Sequence, residues 1–311
     1  EYPFDFALWK AAKPGEPAWE SPWGNGRPGW HIECSAMIYK QLGETIDIHC
    51  GGGDLVFPHH ENEIAQSECA HDRPLATYWM HNGMVKISGE KMSKSLGNFI
   101  TIRKLLDDYR DGNGHSIDPM TIRLFVLTAQ YRKPMDFSDT AMTAAGQSWQ
   151  TIKDGLLFGY EFGQKLGWDN LDPLLTGSTN AAIERFRTAV DDDFNFAEGL
   201  VILFELAKEL RKVGNIITHD SEQTADPDVL KQQWQTLIEL AGVLGLEANP
   251  EELDAPTTGL SDDAIESLLL QRQEARQNKD FTASDRIRDE LKANGIVVID
   301  KAGTPSTWHR S

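Results

Sequence analysis

One short stretch near the start of the chain limits its fold most strongly, because a strand pattern, a glycine run and a proline follow one another there. Ile46 to His49 has the alternation of β-branched residues that is typical of a strand. Gly51 to Gly53 come next, and Pro58 is suited to the first turn of a helix. This order predicts an α/β sheet whose ligand lies beyond the carboxyl ends of the strands, where the glycines let it approach the backbone.

The later part of the chain has helical spacing. Apolar residues recur every three to four positions from about Thr140 to Leu246, which predicts a helical bundle. After a linker rich in Glu, Asp, Pro, Thr and Gly, we predict helices at Asp263–Asn278 and Thr282–Asn294. Ile296–Ile299 then predicts a strand, from which the chain turns back through Trp308.

The composition excludes a membrane protein and a disulfide-rich one. With 311 residues, of which 40% are hydrophobic, the chain can bury two or three cores. It has neither an apolar run long enough to span a bilayer nor the order of a signal peptide, so we expect a cytoplasmic protein with no membrane partner. Three cysteines cannot all pair within one chain, which favours reduced thiols or metal ligands.

Cys34, His59 and Glu63 offer a thiolate, an imidazole and a carboxylate, which together suit a zinc ion. His59 and Glu63 stand four residues apart on the helix predicted to begin at Pro58, so their side chains would share one face. Alternatively, Cys34 is a small buried hydrophobic residue, and Glu63, with Glu61, complements the helix dipole. Spacing alone favours this alternative, because ligands so far apart follow no short zinc pattern.

A lysine pair lies in a polar segment between Gly89 and Gly97. Lys91 and Lys94 place two ammonium groups on a loop that could close over a polyphosphate. Cations in such a loop would stabilise the negative charge that develops on a leaving pyrophosphate. The alternative is a solvated surface turn, which is the usual role of such a pair.

Asp54 directly follows the glycine run. The run is followed by no Gly-Lys-Ser/Thr and does not match G-x-G-x-x-G, so neither of these two phosphate-binding motifs is present. A carboxylate at the end of a strand could instead hold ribose hydroxyls, and the alternative is an ordinary turn that contains aspartate.

Several stretches together resemble one enzyme family. Lys91–Ser95 (KMSKS) resembles the signature of class I aminoacyl-tRNA synthetases. Gly29–Ser35 (GWHIECS) and Phe57–Glu63 (FPHHENE) resemble the cysteine-specific family among them, the cysteinyl-tRNA synthetases. The similarity runs through the whole chain, including Asp191–Asn195 and Lys279–Arg310.

The resemblance implies a fold that is α/β at first and mainly α afterwards. It comprises the C-terminal half of a class I, Rossmann-like catalytic domain, a helical bundle and a small α+β C-terminal domain. The implied segments are the zinc-bearing half of the catalytic domain at 1–90, the KMSKS loop and stem-contact region at 91–139, the anticodon-binding-type bundle at 140–246, a linker at 247–260 and the anticodon-recognition domain at 261–311.

The resemblance also implies the chemistry of substrate selection. Cys34, His59 and Glu63 become protein ligands of one zinc ion per chain, and Trp30 lies at the cysteine pocket. In this family the metal binds the substrate thiol directly. A thiolate suits this soft ion better than a serine hydroxyl, so selection needs no editing.

ATP, with Mg²⁺, and tRNA(Cys) are the other substrates that the resemblance implies. Asp54 approaches the adenosine, and Lys94, helped by Lys91, binds the phosphates. The carboxylate of L-cysteine attacks the α-phosphate to give cysteinyl-adenylate and pyrophosphate, and a terminal ribose hydroxyl of the tRNA then takes the cysteinyl group. Positioning and charge stabilisation supply most of the rate enhancement.

Arg276, Phe281 and Asp285 are candidates for contacts with the anticodon, because single-stranded bases are recognised by stacking and by hydrogen bonds to their edges. For these three residues the alternative, a helix surface with one core aromatic, has equal weight.

The chain begins with Glu1 rather than Met, and we expect a truncated or processed product. In the family, a HIGH-type motif and a fourth zinc ligand, a cysteine, belong to an N-terminal segment that this sequence does not include. We therefore expect the chain by itself to be inactive, with the missing segment as a potential partner. Apolar surface on residues 1–90 would then be exposed.

Two alternative functions are open. The chain could be a non-catalytic module that binds tRNA or zinc. It could also be the mycothiol-pathway paralogue, which activates cysteine with ATP but passes it to an amino-sugar. The paralogue needs no anticodon-reading domain, so the long region after Thr140 favours the tRNA enzyme.

Overall fold

The computed structural model describes residues 5–93, 96–110, 116–169, 181–218, 225–253, 262–278, 280–294, 296–299 and 306–310. The chain divides into two compact units, each made of several segments. The first unit comprises residues 1–99, 126–141 and 189–197, and the second comprises residues 100–125, 142–188 and 198–311. The segment boundaries expected at residues 90, 139, 246 and 260 stay predictions.

The first unit contains a parallel pair of strands with a helix between them. β3 (Ile46–Gly52) lies beside β4 (Ala76–Asn82), with Ile48 opposite Tyr78 in the register. α2 (Glu61–His71) connects the two strands, which is the crossover that parallel pairing requires. The predicted order of strand, glycine loop and helix is therefore confirmed.

The start of α2 differs from the prediction that the helix begins at Pro58. A 3₁₀ turn at Gly53–Leu55 and a wide turn at Val56–His60 come first, and the regular helix begins only at Glu61. The backbone of Phe57 is extended (φ −135°, ψ 133°), because the residue before a proline is disfavoured in the helical conformation.

The segment before β3 forms a hairpin and a helix. β1 (Trp9–Ala11) pairs antiparallel with β2 (Gly26–Pro28), and α1 (Trp30–Leu42) follows directly. The helix ends at Gly43, whose φ of 103° is a conformation that residues with a side chain rarely adopt.

A second, three-stranded sheet in the first unit has β5 (Val85–Ile87) at its centre. β6 (Glu90–Lys91) pairs with it antiparallel and β7 (Met135–Phe137) pairs with it parallel. The turn between β5 and β6 has positive φ at both central residues, Ser88 (51°) and Gly89 (86°), as a tight hairpin requires.

The helices of the remaining chain include two short ones, α3 (Ile102–Asp108) and α4 (Pro119–Leu127). The longer helices of the predicted bundle follow: α5 (Asp139–Phe162), α6 (Ala181–Asp191), α7 (Phe196–Thr218) and α8 (Pro227–Val243). The apolar faces of α5, α7 and α8 supply the buried core residues Ile152, Phe158, Leu203, Leu210, Trp234 and Leu237. The periodicity therefore predicted these helices correctly.

The C-terminal part is a small α+β region with a core of its own. It consists of α9 (Asp262–Gln277), α10 (Phe281–Ala293) and the antiparallel strands β8 (Ile296–Ile299) and β9 (Thr307–Arg310). Its buried core residues are Ile265, Leu269, Ile287, Leu291 and Ile296, against which Trp308 packs. Both helices and the return through Trp308 are as predicted.

Large apolar side chains are exposed in the first part of the chain, where apolar surface was expected. They include Leu8, Trp19, Trp23, Met37, Leu42, Ile48, Phe57 and Tyr78. Among the described residues, no helix combines the length and the apolar character needed to cross a membrane.

The packing of Gly159 against Trp234 gives a test of the bundle core. A Cβ on Gly159 would lie 2.4–2.6 Å from three atoms of the indole ring of Trp234, which is fully buried. Gly159→Ala should therefore overpack the core and lower the free energy of unfolding by about 1–3 kcal/mol, as measured by urea unfolding followed by tryptophan fluorescence.

Gly242→Ala is the matched control. A Cβ there meets nothing within 4 Å, and the residue lies in α8. Removing a helical glycine should raise stability by about 0.5–1 kcal/mol. Equal stability of the two variants would contradict the packing described for Gly159.

Candidate metal and nucleotide site

The structure brings Cys34, His59 and Glu63 together. Cys34 lies on α1, His59 in the wide turn and Glu63 on α2, and α1 packs beside α2. One potential ligand atom from each residue lies within 4.8 Å of those of the other two. Residues that are far apart in sequence thus form one cluster because two helices pack together.

Glu63 is the most deeply buried member of this cluster, with no exposed surface. Its Oε2 atom is hydrogen-bonded to His49 Nε2 at 2.7 Å. Its Oε1 atom lies 2.9 Å from His59 Nε2, but the contact lacks hydrogen-bond geometry, and this buried oxygen has no hydrogen-bond partner among the described residues. Full burial does not suit the solvated helix-dipole role that was the alternative for this residue.

The chemistry of the cluster suits a soft divalent cation. A buried carboxylate oxygen without a hydrogen bond is costly, and a bound cation would offset that cost. Burial raises the pKa of the Cys34 thiol, and the nearby Glu63 carboxylate raises it further. A cation would favour the thiolate, so the donor set fits zinc.

Trp30 and His31, both on the first turn of α1, fix the ring of His59. The indole of Trp30 stacks on the His59 ring with 4.2 Å between centroids and an angle of 22° between planes. His31 Nδ1 lies 2.7 Å from His59 Nδ1, which leaves His59 Nε2 directed at Glu63. Because 54% of Trp30 is exposed, its ring also forms part of the surface beside the cluster.

A second histidine group adjoins the cluster, and the sequence reasoning missed it. His49 and His60 form another potential ligand group with Glu63. His60 Nδ1 lies 2.8 Å from His81 Nε2, and burial lowers the pKa of both rings. The parallel register, which places Gly51 opposite His81, was the available signal, because the ends of paired strands lie side by side.

The structure also brings the candidate nucleotide residues Asp54 and Lys91 together. Lys91 Nζ donates a hydrogen bond to Asp54 Oδ2 at 3.0 Å, and this bond is the main reason why the pKa of Asp54 lies below its usual value. Lys94, the other predicted phosphate ligand, lies outside the described residues.

Asn98 contacts the residues at and just after the end of β6, and the sequence reasoning did not identify it. Its Nδ2 donates to the carbonyl of Lys91 at 3.1 Å, while its Oδ1 accepts from the amide of Ser93 at 2.9 Å. One side chain therefore connects both ends of the segment 91–98. Its position directly after Gly97, whose φ is 69°, was the available signal.

The three anticodon candidates lie on the helices of the C-terminal region. Arg276 is in the last turn of α9, whereas Phe281 begins α10 and Asp285 follows one turn later. Phe281 is 63% exposed, so it is not a core aromatic. Asp285 Oδ1 lies 3.5 Å from Arg288 Nη1 at the surface.

The sequence matches three family models. Residues 1–147 match "tRNA synthetases class I (C) catalytic domain", residues 185–249 match "DALR domain", and residues 258–307 match "Cysteinyl-tRNA ligase anticodon binding domain".

Curated relatives are similar to almost the whole chain. A cysteine–tRNA ligase of Gloeothece citriformis is 61% identical and one of Rippkaea orientalis is 62% identical, each over 99% of this chain. One of Trichormus variabilis is 60% identical over 100% of the chain. The chain spans 62–63% of the length of these relatives.

A solved structure shares the fold at low sequence identity. It is the LeuRS–tRNA–LeuAMS ternary complex of Agrobacterium radiobacter K84, with a TM-score of 0.52 and 15% identity over 94% of this chain and 38% of that chain.

The ion pair between Lys91 and Asp54 can be tested by titration. Lys91→Met removes the hydrogen bond and the positive charge that hold the Asp54 pKa down, so that pKa should rise toward the ordinary value for aspartate. An NMR titration of the side-chain carboxyl carbon measures it. Lys104→Met, which removes a lysine outside this pair, should leave the pKa of Asp54 unchanged. An unchanged pKa in Lys91→Met would show that the pair does not form in solution.

Proposed function

The chain belongs to the cysteinyl-tRNA synthetase family, and from this premise we propose that its residues serve the ATP-dependent attachment of L-cysteine to tRNA(Cys). The observation that carries the proposal is the cluster of Cys34, His59 and the buried Glu63, with Trp30 stacked against it. This is an unusual set of side chains to bring together, and its chemistry matches a substrate whose distinguishing group is a thiol.

Cys34, His59 and Glu63 would hold one zinc ion, a soft Lewis acid that favours the thiol of cysteine over the hydroxyl of serine. The surrounding residues keep the ligands in place. His49 anchors one oxygen of Glu63, and His31 and Trp30 fix the plane of His59. Such outer contacts orient the ligands and so improve the discrimination between substrates.

ATP, accompanied by Mg²⁺, would bind at the other group of residues. Asp54 would accept hydrogen bonds from the ribose hydroxyls, and Lys91 and Lys94 would bind the phosphates. The proximity of Lys91 and Asp54, 3.0 Å between Nζ and Oδ2, supports this arrangement because it places the start of the lysine loop beside the carboxylate.

The proposed reaction has two steps. An oxygen of the cysteine carboxylate attacks the α-phosphorus, the bond to the bridging oxygen breaks, and pyrophosphate leaves with the bonding electrons. The lysine ammonium groups would stabilise that negative charge. A terminal ribose hydroxyl of the tRNA then attacks the carbonyl of cysteinyl-adenylate and displaces AMP.

The later segments would recognise the tRNA. The matches at residues 185–249 and 258–307 support a bundle and a C-terminal domain that read it, as proposed for 140–246 and 261–311. Phe281 supports base stacking because it is exposed, and Arg276 and Asp285 would contact base edges. The match to an anticodon-binding domain also favours this function over the mycothiol-pathway paralogue. The cytoplasmic location expected from the sequence stays a prediction.

Metal analysis tests the zinc proposal without any assay of activity. The purified chain should contain about one zinc ion, because the three donors are already gathered. Cys34→Ala should lose most of it, since a thiolate is among the strongest of zinc ligands. Cys50→Ala is the matched control, because Cys50 is an exposed thiol outside the cluster, and it should retain the metal. Equal zinc in the native chain and in Cys34→Ala would refute the assignment.

Cysteine-dependent exchange of pyrophosphate with ATP tests the proposed chemistry. We expect the 311-residue chain by itself to exchange no faster than its Lys94→Ala variant, because its sequence contains no HIGH-type motif. In a complete enzyme that contains these residues, Lys94→Ala should lower the exchange rate by about a hundredfold, whereas Lys104→Ala should not. A complete enzyme that bound tRNA tightly but showed no exchange would support the non-catalytic alternative.

A further inference from the structure

The carboxylate of Asp193 is the centre of a hydrogen-bond group in the first unit. Arg132 binds it with two parallel contacts, Nε to Oδ2 at 2.7 Å and Nη2 to Oδ1 at 2.9 Å. The hydroxyl of Tyr131 donates to Oδ1 at 2.9 Å, and Gln130 Nε2 donates to Oδ2 at 3.4 Å. Three consecutive residues are therefore held by one side chain, and the paired geometry with arginine fixes their direction.

The backbone at Asp193 and Phe194 adopts an uncommon left-handed conformation. Asp193 has a φ of 52° and Phe194 a φ of 56°, two successive left-handed residues that are not glycine. Such conformations cost free energy and persist where the surroundings require them. The ring of Phe194 packs edge-on against Tyr131 with 6.2 Å between centroids. Tyr131 is therefore contacted by both residues of this turn, Asp193 and Phe194.

The segment 130–135, which includes the residues bound by Asp193, is hydrogen-bonded to the residues just before β5. The carbonyl of Tyr131 accepts a hydrogen bond from the amide of Gly83 at 2.7 Å. Gly83 approaches the chain so closely that a Cβ on it would lie 2.2 Å from the carbonyl carbon and oxygen of Lys133. The amide of Met135 donates to the carbonyl of Met84 at 3.1 Å. Residues 130–135 are therefore in direct contact with Gly83 and Met84, which immediately precede β5.

The three-stranded sheet of β5, β6 and β7 connects segment 130–135 to Lys91. β6, which ends at Lys91, pairs with β5, and the amide of Met92 donates to the carbonyl of Val85 at 3.2 Å. Asp136, on β7, accepts a hydrogen bond at 2.8 Å from the amide of Gly89 in the turn between β5 and β6. The position of Lys91 thus depends on β5 and β7, both of which adjoin the segment that Asp193 holds.

From this continuous set of contacts we infer that Asp193 is a positioning residue for Lys91, acting through Tyr131 and Arg132 on the sheet that carries this lysine. This inference rests on the proposed function, in which Lys91 binds the phosphates of ATP. Asp193 and Arg132 are both about half exposed, and an exposed ion pair contributes little to global stability. Loss of the ion pair between Asp193 and Arg132 should therefore displace Lys91 without unfolding the protein.

Limited proteolysis tests the mechanical part of the inference. Endoproteinase Lys-C cleaves after lysine, and cleavage after Lys91 reports local opening of the loop. Asp193→Ala should increase that cleavage rate by about threefold or more, whereas cleavage after Lys208, within the long helix α7, should not change. Asp192→Ala removes the adjacent exposed carboxylate, which is not a partner of Arg132 in this group, and should behave as the native chain does. Equal rates after Lys91 in the native and Asp193→Ala chains would overturn the inference.

Two further substitutions separate the hydrogen bonds from the backbone conformation. Asp193→Asn keeps an oxygen acceptor and tolerates the left-handed conformation, so it should restore much of the protection at Lys91. Asp193→Gly adopts that conformation without strain but offers no acceptor, so it should be cleaved as fast as Asp193→Ala. If the glycine variant were as protected as the native chain, the backbone rather than the carboxylate would position the loop, and the inference would be wrong.

Kinetics of pyrophosphate exchange in a complete enzyme test the functional part. Asp193→Ala should raise KM for ATP by about fivefold or more and leave KM for cysteine within about twofold, because only the phosphate-binding loop is displaced. A purely structural defect would change both constants or lower the amount of active enzyme. If the native enzyme showed no exchange at all, the proposed function would fail, while the proteolysis would still decide whether Asp193 controls the loop.

Discussion

Removing a carboxylate from water costs several kcal/mol unless a cation or hydrogen bonds compensate it, and Glu63 is a carboxylate with no exposed surface. One of its oxygens is bound by His49 from β3, and the other has no hydrogen bond among the described residues and faces His59 and Cys34. The requirement to compensate this one charge draws residues from a strand, a turn and two helices to the same point. The stacking of Trp30 and the contact with His31 Nδ1 then fix the ring of His59.

The glycine run at Gly51 to Gly53 also makes room for side chains of this centre. Glycines at a strand end were predicted to let a ligand approach the backbone. That expectation stays a prediction, and the structure adds a second reason for the glycines: a Cβ on Gly51 would lie 2.6 Å from Cε1 of His60, and a Cβ on Gly52 would lie 2.6 Å from Oδ1 of Asp54. The missing side chains make room for the protein's own imidazole and carboxylate. The run thus adjoins both parts of the candidate site, the proposed metal ligands and the proposed nucleotide residues.

The sequence predicted those features that depend on local pattern. The strand at Ile46 and the helices of the bundle follow from residue alternation and apolar spacing. The cluster of Cys34 with His59 and Glu63 was implied only by resemblance, because the packing of α1 beside α2 has no local signal. His49 and His81 were missed for the same kind of reason, since strand register brings them to the site. The pairing of Asp193 with Arg132 likewise joins distant segments and could not be read from spacing.

The two parts of the site differ in how tightly their charges are held. Glu63 has no exposed surface and only 16% of the His49 side chain is exposed, so water screens their interaction little. Lys91 and Asp54 are about half exposed, and water screens their attraction. A polyphosphate could therefore draw Lys91 from Asp54 at little cost, provided that the rest of the loop keeps its place. Asp136 and Asp193 meet that condition, since they bind the backbone of the turn and the segment next to β5 rather than the lysine itself. In a chain with a net charge of −18, Asp136 and Asp193 thus support the residues around Lys91 without pairing with its ammonium group.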